Sequence, residues 1–86
     1  MYITLSALCH GLTLEEIEHA WELAVSDMTL DQDHDPPKRL RVGPDHAGNL
    51  LELVYLESAG DDHAHSITVI HAMRLRTSLN NYLRRL

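Results

Sequence analysis

Phenylalanine is absent from this chain and cysteine occurs once, at Cys9. A lone cysteine excludes an intrachain disulfide scaffold and a Cys-rich zinc module, and it fits a reducing compartment. Basic residues are missing from the whole N-terminal stretch, the first being Lys38. No basic leader segment precedes the first apolar residues and no apolar run approaches membrane-spanning length, so the expectation is a cytoplasmic protein with no membrane contact. Aromatic side chains are limited to Tyr2, Trp21, Tyr55 and Tyr82, which leaves little surface for stacking bases. Repeats, linkers and low-complexity segments are also missing. With 86 residues, 44% of them hydrophobic, the chain is expected to form one domain over residues 1–86 around a single core.

Charge is present but unevenly spread. The net charge is −6, from seven Lys and Arg against thirteen Asp and Glu. Residues 1–35 hold eight acids and no Lys or Arg, whereas residues 71–86 hold Arg74, Arg76, Arg84 and Arg85 and no acid. Bare, unassisted nucleic-acid binding does not fit a pI near 5.5. An Arg-rich end can nevertheless meet an anionic partner that the acidic half would repel. The alternative is that the two ends attract each other, within the fold or across a homodimer.

Periodicity divides the chain into elements. Residues 2–5 read as a short strand leading into Ser6–His10, and Gly11 reads as a stop with positive φ. Thr13 and Glu16 form a capping-box pattern. The helix that follows presents Leu14, Ile17, Trp21 and Val25 on one stripe, with Glu15, Glu18 and Glu22 facing water. After Ser26 the period becomes two, giving strands near 27–32 and 38–43 on either side of the Asp33–Pro37 loop. Pairing 32 with 38 sets Asp31 opposite Arg39, Thr29 opposite Arg41, Leu30 opposite Leu40 and Met28 opposite Val42. A turn at Pro44–Asn49, with Gly48 tolerant of positive φ, leads to a central strand at 50–58. A loop over Ala59–Ala64 separates it from a strand at 65–73. That strand is expected to carry Ile67, Val69 and His71 on one face and Thr68, Ile70 and Ala72 on the other. From Arg74 the pattern turns helical, with Leu75, Leu79, Tyr82, Leu83 and Leu86 as a stripe. The expected fold is α+β: an antiparallel four-stranded meander, with a fifth strand available at the N-terminus, and N-terminal and C-terminal helices packed on it. Trp21, Leu40, Val42, Leu53 and Val69 are expected in the core.

Three sets of residues invite chemistry. Asp61-Asp62-His63-Ala64-His65 and His34 between Asp33 and Asp35 carry metal-binding side chains, but without a spacing that gathers three or four ligands; they read as solvated loops, and no metal or cofactor is expected. Cys9 beside His10 lacks the electropositive setting that activates a thiol and reads as a buried structural residue. His71 lies just before Arg74 and Arg76. A His at such a junction can transfer protons while guanidinium groups hold a phosphate; the other reading is a His hydrogen-bonded at the sheet end beside two solvated Arg.

His10-Gly11-Leu12-Thr13 followed by Glu15-Glu16-Ile17 resembles the opening of the BrnT-like toxins. Val42-Gly43-Pro44-Asp45, Ala47-Gly48-Asn49-Leu50-Leu51-Glu52-Leu53-Val54 and Val69-Ile70-His71-Ala72-Met73 are similar to that family's strand–turn–strand and closing strand. The ordered set spans residues 10 to about 76. The resemblance implies a RelE-like fold and membership of a bacterial type II toxin–antitoxin pair. It further implies a metal-independent endoribonuclease that inhibits translation, acting on RNA or at the ribosome and neutralised by a cognate antitoxin protein. The site residues it implies are His71, Arg74 and Arg76, with Tyr82 on the last helix. The alternative is a non-catalytic, toxin-like interaction module that forms a dimer or binds a partner protein through its C-terminal helix. A divalent-metal-binding domain using the His/Asp loops is a third reading.

Overall fold

The computed structural model describes residues 1–59 and 65–76, with the side chains of Ala59 and His65 excepted. Five strands form one mixed sheet: β1 (Tyr2–Ile3), β2 (Ser26–Asp31), β3 (Lys38–Pro44), β4 (Leu50–Ala59) and β5 (His65–Arg74). Their order is β1-β5-β4-β3-β2. From β2 to β5 the sheet is the expected antiparallel meander. The N-terminal strand is the exception. It joins the sheet parallel to β5, with Tyr2 beside Thr68 and Ile3 beside Val69. The chain then crosses the sheet in a short 3-10 helix, Leu5–Leu8, and in α1, Leu14–Glu22, before it begins β2. That crossover is what permits a parallel pair.

The local signals before and within α1 have direct structural counterparts. Gly11 adopts φ 82°. The Thr13 side chain accepts from the Glu16 N–H at 3.1 Å while Glu16 accepts from the Thr13 N–H at 3.0 Å. The buried side of α1 differs from the expected stripe. Ile17 and Ala20 are buried and Trp21 packs beside them, whereas Leu14 and Val25 are exposed. The reason is length: α1 ends at Glu22, so Val25 lies outside the helical period, and Leu14 occupies the exposed first turn. Cys9 is exposed too, contrary to the buried reading. It caps the 3-10 helix, whose buried member is Ala7.

The two sheet faces bury different sets. Between α1 and the sheet, Ala7, Ile17, Ala20, Leu51, Leu53, Tyr55, Val69 and Ala72 are buried together. On the other face Leu40, Val42 and Val54 are buried with Met28, Leu30, Ile70 and Leu75 against them. Of the expected core residues, Leu40, Val42, Leu53 and Val69 are fully buried, and Trp21 is partly so.

Two registers depart from expectation. In the β2–β3 hairpin Asp27 faces Arg41, Met28 faces Leu40 and Thr29 faces Arg39, with an irregularity before Asp31 pairs Lys38. The ladder is therefore displaced by two residues from the predicted pairing. A shift of two keeps every side chain on its face, and it brings Asp27 against two guanidinium groups at once. In β5 the pairing jumps from Val69 opposite Tyr55 to His71 opposite Val54. Ile70 is the extra residue, so Val69 and Ala72 share the α1 face and His71 lies on the other. The expected face holding Ile67, Val69 and His71 together is thus divided by a bulge. The strand ends at Arg74, and Leu75 and Arg76 have no regular structure. The predicted C-terminal helix and the loop residues Asp61–Ala64 lie outside the described residues, as does Tyr82.

Candidate active site

A carboxylate on the central strand organises the junction after β5. Glu52 is the one charged residue in the run Leu50–Leu56, and its side chain is fully buried. Strand alternation turns it away from Leu51 and Leu53, onto the face that carries His71. A bare carboxylate there would be costly, and its partners are correspondingly many. Arg76 donates from Nε at 3.0 Å to Oε1 and 3.1 Å to Oε2, from Nη2 to Oε2 at 2.9 Å, and from its backbone N–H to Oε1 at 2.8 Å. His71 Nε2 lies 3.0 Å from Oε2. Burial alone raises the Glu52 pKa, but the hydrogen bonds from the Arg76 side chain and backbone and from His71 outweigh it and hold the group below the ordinary carboxylate range. The same contact raises the Arg76 pKa.

The ionised Glu52 can only accept, so His71 Nε2 donates to it, and in the neutral imidazole Nδ1 is then the acceptor nitrogen. The His71 side chain is about a quarter exposed, at 26%. His10, at the end of the 3-10 segment, meets it edge to face with ring centroids 5.3 Å apart. Two imidazoles, one guanidinium and a buried orienting carboxylate therefore come together from four places in the chain. The Arg76 side chain is half exposed, and its Nη1 makes none of the contacts to Glu52.

The structure brings together His71 and Arg76 from the predicted set. Arg74 goes elsewhere. It pairs with Leu51 on the opposite sheet face and is exposed. There it faces Asp45, whose pKa desolvation raises but hydrogen bonds from Asn49 and Ala47, with the charge of Arg74, lower on balance. His10 and Glu52 were missed as site residues. The signal for Glu52 was a lone acid inside a strand apolar on both phases; His10 gave none beyond its place in the His-Gly motif.

A second polar cluster occupies the α1 face at the β2 edge. Asp27 accepts from Arg39 Nη2 at 2.8 Å, from Arg41 Nη1 at 2.9 Å and from the Tyr55 hydroxyl at 2.7 Å. Arg41 stacks over Trp21 at 4.2 Å and donates from Nε to the Trp21 carbonyl. Each member is tied to another, so the cluster reads as a brace between α1 and the sheet.

Comparison with protein-family models, characterised proteins and solved structures finds no match. Among the described residues no group of three or more His, Cys, Asp and Glu is gathered for a metal. No described helix is long and apolar enough to cross a membrane.

Proposed function

We propose that this protein is a metal-independent endoribonuclease, the toxin of a bacterial type II toxin–antitoxin pair with a RelE-like fold, acting in the cytoplasm on RNA or at the ribosome. The observation that carries the activity is the His71–Glu52 contact, beside His10 and Arg76. The family reading rests on the sequence resemblance. Glu52, held ionised by Arg76, fixes His71 as the tautomer whose Nδ1 accepts a proton. Nδ1 removes the proton from a ribose 2′-hydroxyl, whose oxygen attacks the adjacent phosphorus. The bond from phosphorus to the 5′-oxygen breaks, and that oxygen takes a proton from the second imidazole, His10. The products are a 2′,3′-cyclic phosphate and a 5′-hydroxyl. Arg76 supplies positive charge to the phosphorane through the donors not spent on Glu52.

A second reading, a non-catalytic module that forms a dimer or binds a partner through residues 75–86, is favoured by one fact: Glu52 already engages the Arg76 guanidinium. RNA cleavage separates the two. The purified protein is incubated with RNA, with and without ribosomes, beside His71→Ala of matched circular dichroism. Cleavage by the wild type and its loss in the variant supports the ribonuclease. No cleavage under either condition leaves the interaction module.

A further inference from the structure

We propose that Ser6, together with Thr4, is a positioning residue that holds His10 against His71, an inference that rests on the ribonuclease reading for its use in catalysis. The two imidazoles start from unequal supports. His71 is fixed by β5 and by its contact to Glu52. His10 stands one residue beyond the cap of the four-residue 3-10 helix and directly before Gly11, at φ 82°. A single turn of 3-10 helix does not hold its own shape in water. The place of His10 therefore depends on what fastens that turn to the sheet.

Apolar contacts set its depth: Ala7 is buried in the core and Leu8 packs against it. Hydroxyl groups set its rotation. Ser6 Oγ donates to the Ile70 carbonyl at 3.0 Å. Ile70 is the bulged residue of β5, opposite no residue of β4 and one place past the end of the β1 pairing, so the bulge presents an acceptor on the neighbour of His71. The Ser6 carbonyl in turn accepts from the Cys9 N–H at 3.4 Å. One serine thus joins the residue before His71 to the residue before His10.

Thr4 anchors this serine. Its N–H donates to the Val69 carbonyl at 3.0 Å, and its Oγ1 lies 2.8 Å from Ser6 Oγ and 3.2 Å from the same carbonyl. The two hydroxyls share their protons among Val69, Ile70 and each other, while Thr4 Oγ1 also accepts from the Ala7 N–H at 3.3 Å. With the turn so held, the His10 and His71 rings meet edge to face at 5.3 Å, which is the spacing that the proposed pair of proton transfers uses.

The test reads the ring contact and turnover in the same variants of the full chain. Ser6→Ala should remove the nuclear Overhauser contact between the His10 and His71 rings with circular dichroism unchanged. It should also lower kcat for RNA cleavage about tenfold with KM unchanged, as displacement of a catalytic group does. Thr4→Val keeps the branched shape without the hydroxyl and should act in the same direction. Ser6→Thr keeps the hydroxyl at an exposed position and should restore both readouts. Leu5→Ala, in the same turn but with its side chain exposed, should change neither. A ring contact retained in Ser6→Ala would overturn the proposal. So would a contact not restored in Ser6→Thr, an equal loss in Leu5→Ala, or a lost contact with kcat unchanged. No cleavage by the wild type would overturn the ribonuclease reading and the catalytic use of Ser6 with it, while the ring contact decides the positioning on its own.

Discussion

Arg76 meets Glu52 twice, through its guanidinium at 2.9 Å and through its own backbone N–H at 2.8 Å. The side-chain contacts balance a buried charge, and the backbone contact fixes the path of the chain as it leaves β5. Leu75 is fastened in the same stretch, its N–H donating to the Leu50 carbonyl at 2.9 Å. One carboxylate thus orients His71, steers the chain over the second sheet face and holds a guanidinium at the site.

Glu52 makes stability depend on pH with a definite sign. Its pKa is depressed in the folded state from a reference of 4.5, so its contribution is fully present above that value and is lost as pH falls through the lower, folded value. Arg76→Ala removes the guanidinium and leaves the buried carboxylate with His71 and the backbone N–H of residue 76. Because Arg76 is half exposed, part of its Coulomb attraction is already screened, and the expected cost at neutral pH is about 2 kcal/mol, the scale of hydrogen bonds to a charged group. Urea denaturation should give that difference at pH 7 and a smaller one in acid, where Glu52 is protonated in both proteins. A difference independent of pH would separate the stability of this junction from the ionisation of Glu52.

Gly43 is required for a different reason. A Cβ built on it would run into the backbone carbonyl of Ala20, so α1 and β3 approach more closely than any side chain allows. The obstacle is backbone on both sides and cannot rotate away. Gly43→Ala is expected to destabilise by about 3 kcal/mol or more, the upper range of overpacking costs, seen as a lower urea midpoint. A thermal midpoint equal to that of the wild type would show that α1 can lift off the sheet freely.

Tyr55 links the core to the Asp27 cluster. Its ring packs edge to face on Trp21 with centroids 4.7 Å apart, and its hydroxyl donates to Asp27 and accepts from Arg39 Nε at 3.3 Å. Burial favours the protonated Asp27, but hydrogen bonds from Tyr55, Arg39 and Arg41 more than offset it, and the net shift is downward from 3.8. Tyr55→Phe keeps the packing and removes the hydroxyl, at an expected cost of about 1–2 kcal/mol. By the same sign argument the difference persists at pH 5 and shrinks as Asp27 is protonated below its reference value. Equal denaturation curves at pH 7 would mean that the two Arg residues satisfy Asp27 unaided.

These contacts also explain what could be read from the sequence. Thr13 and Glu16 form their cap within four residues, and Gly48 takes φ 88° in the five-residue turn between β3 and β4; local chemistry decides both. The meander followed from short connections between runs of period two. The register of β2 on β3 did not, because pairings two residues apart present identical faces. What distinguishes them is Tyr55, supplied by a third strand at Asp27. The bulge at Ile70 left no trace in residue type, since isoleucine suits a regular strand equally well. His10, Glu52 and His71 come together only because β1 runs parallel to β5 and sets the following 3-10 segment beside it, a long-range arrangement that no local pattern encodes.

The proposed activity makes a distinction between the two imidazoles that a structural role would not. His71 is tied to Glu52, whereas His10, among the described residues, makes the ring contact to His71 and is exposed. If both move protons, His71→Ala and His10→Ala should each lower kcat for RNA cleavage by roughly 10²-fold or more, the range of general acid–base catalysis. Their folds should remain intact. Arg74→Ala should change cleavage little, because Arg74 pairs with Leu51 on the far sheet face, whereas Arg76→Ala should lower it together with stability. The measurement is the cleavage rate of one RNA by the wild type and the four variants. Full activity retained in His10→Ala would remove His10 from the proton transfers and leave His71 as the one imidazole required. A loss in Arg74→Ala equal to that in His71→Ala would move the phosphate to the opposite face and away from Glu52.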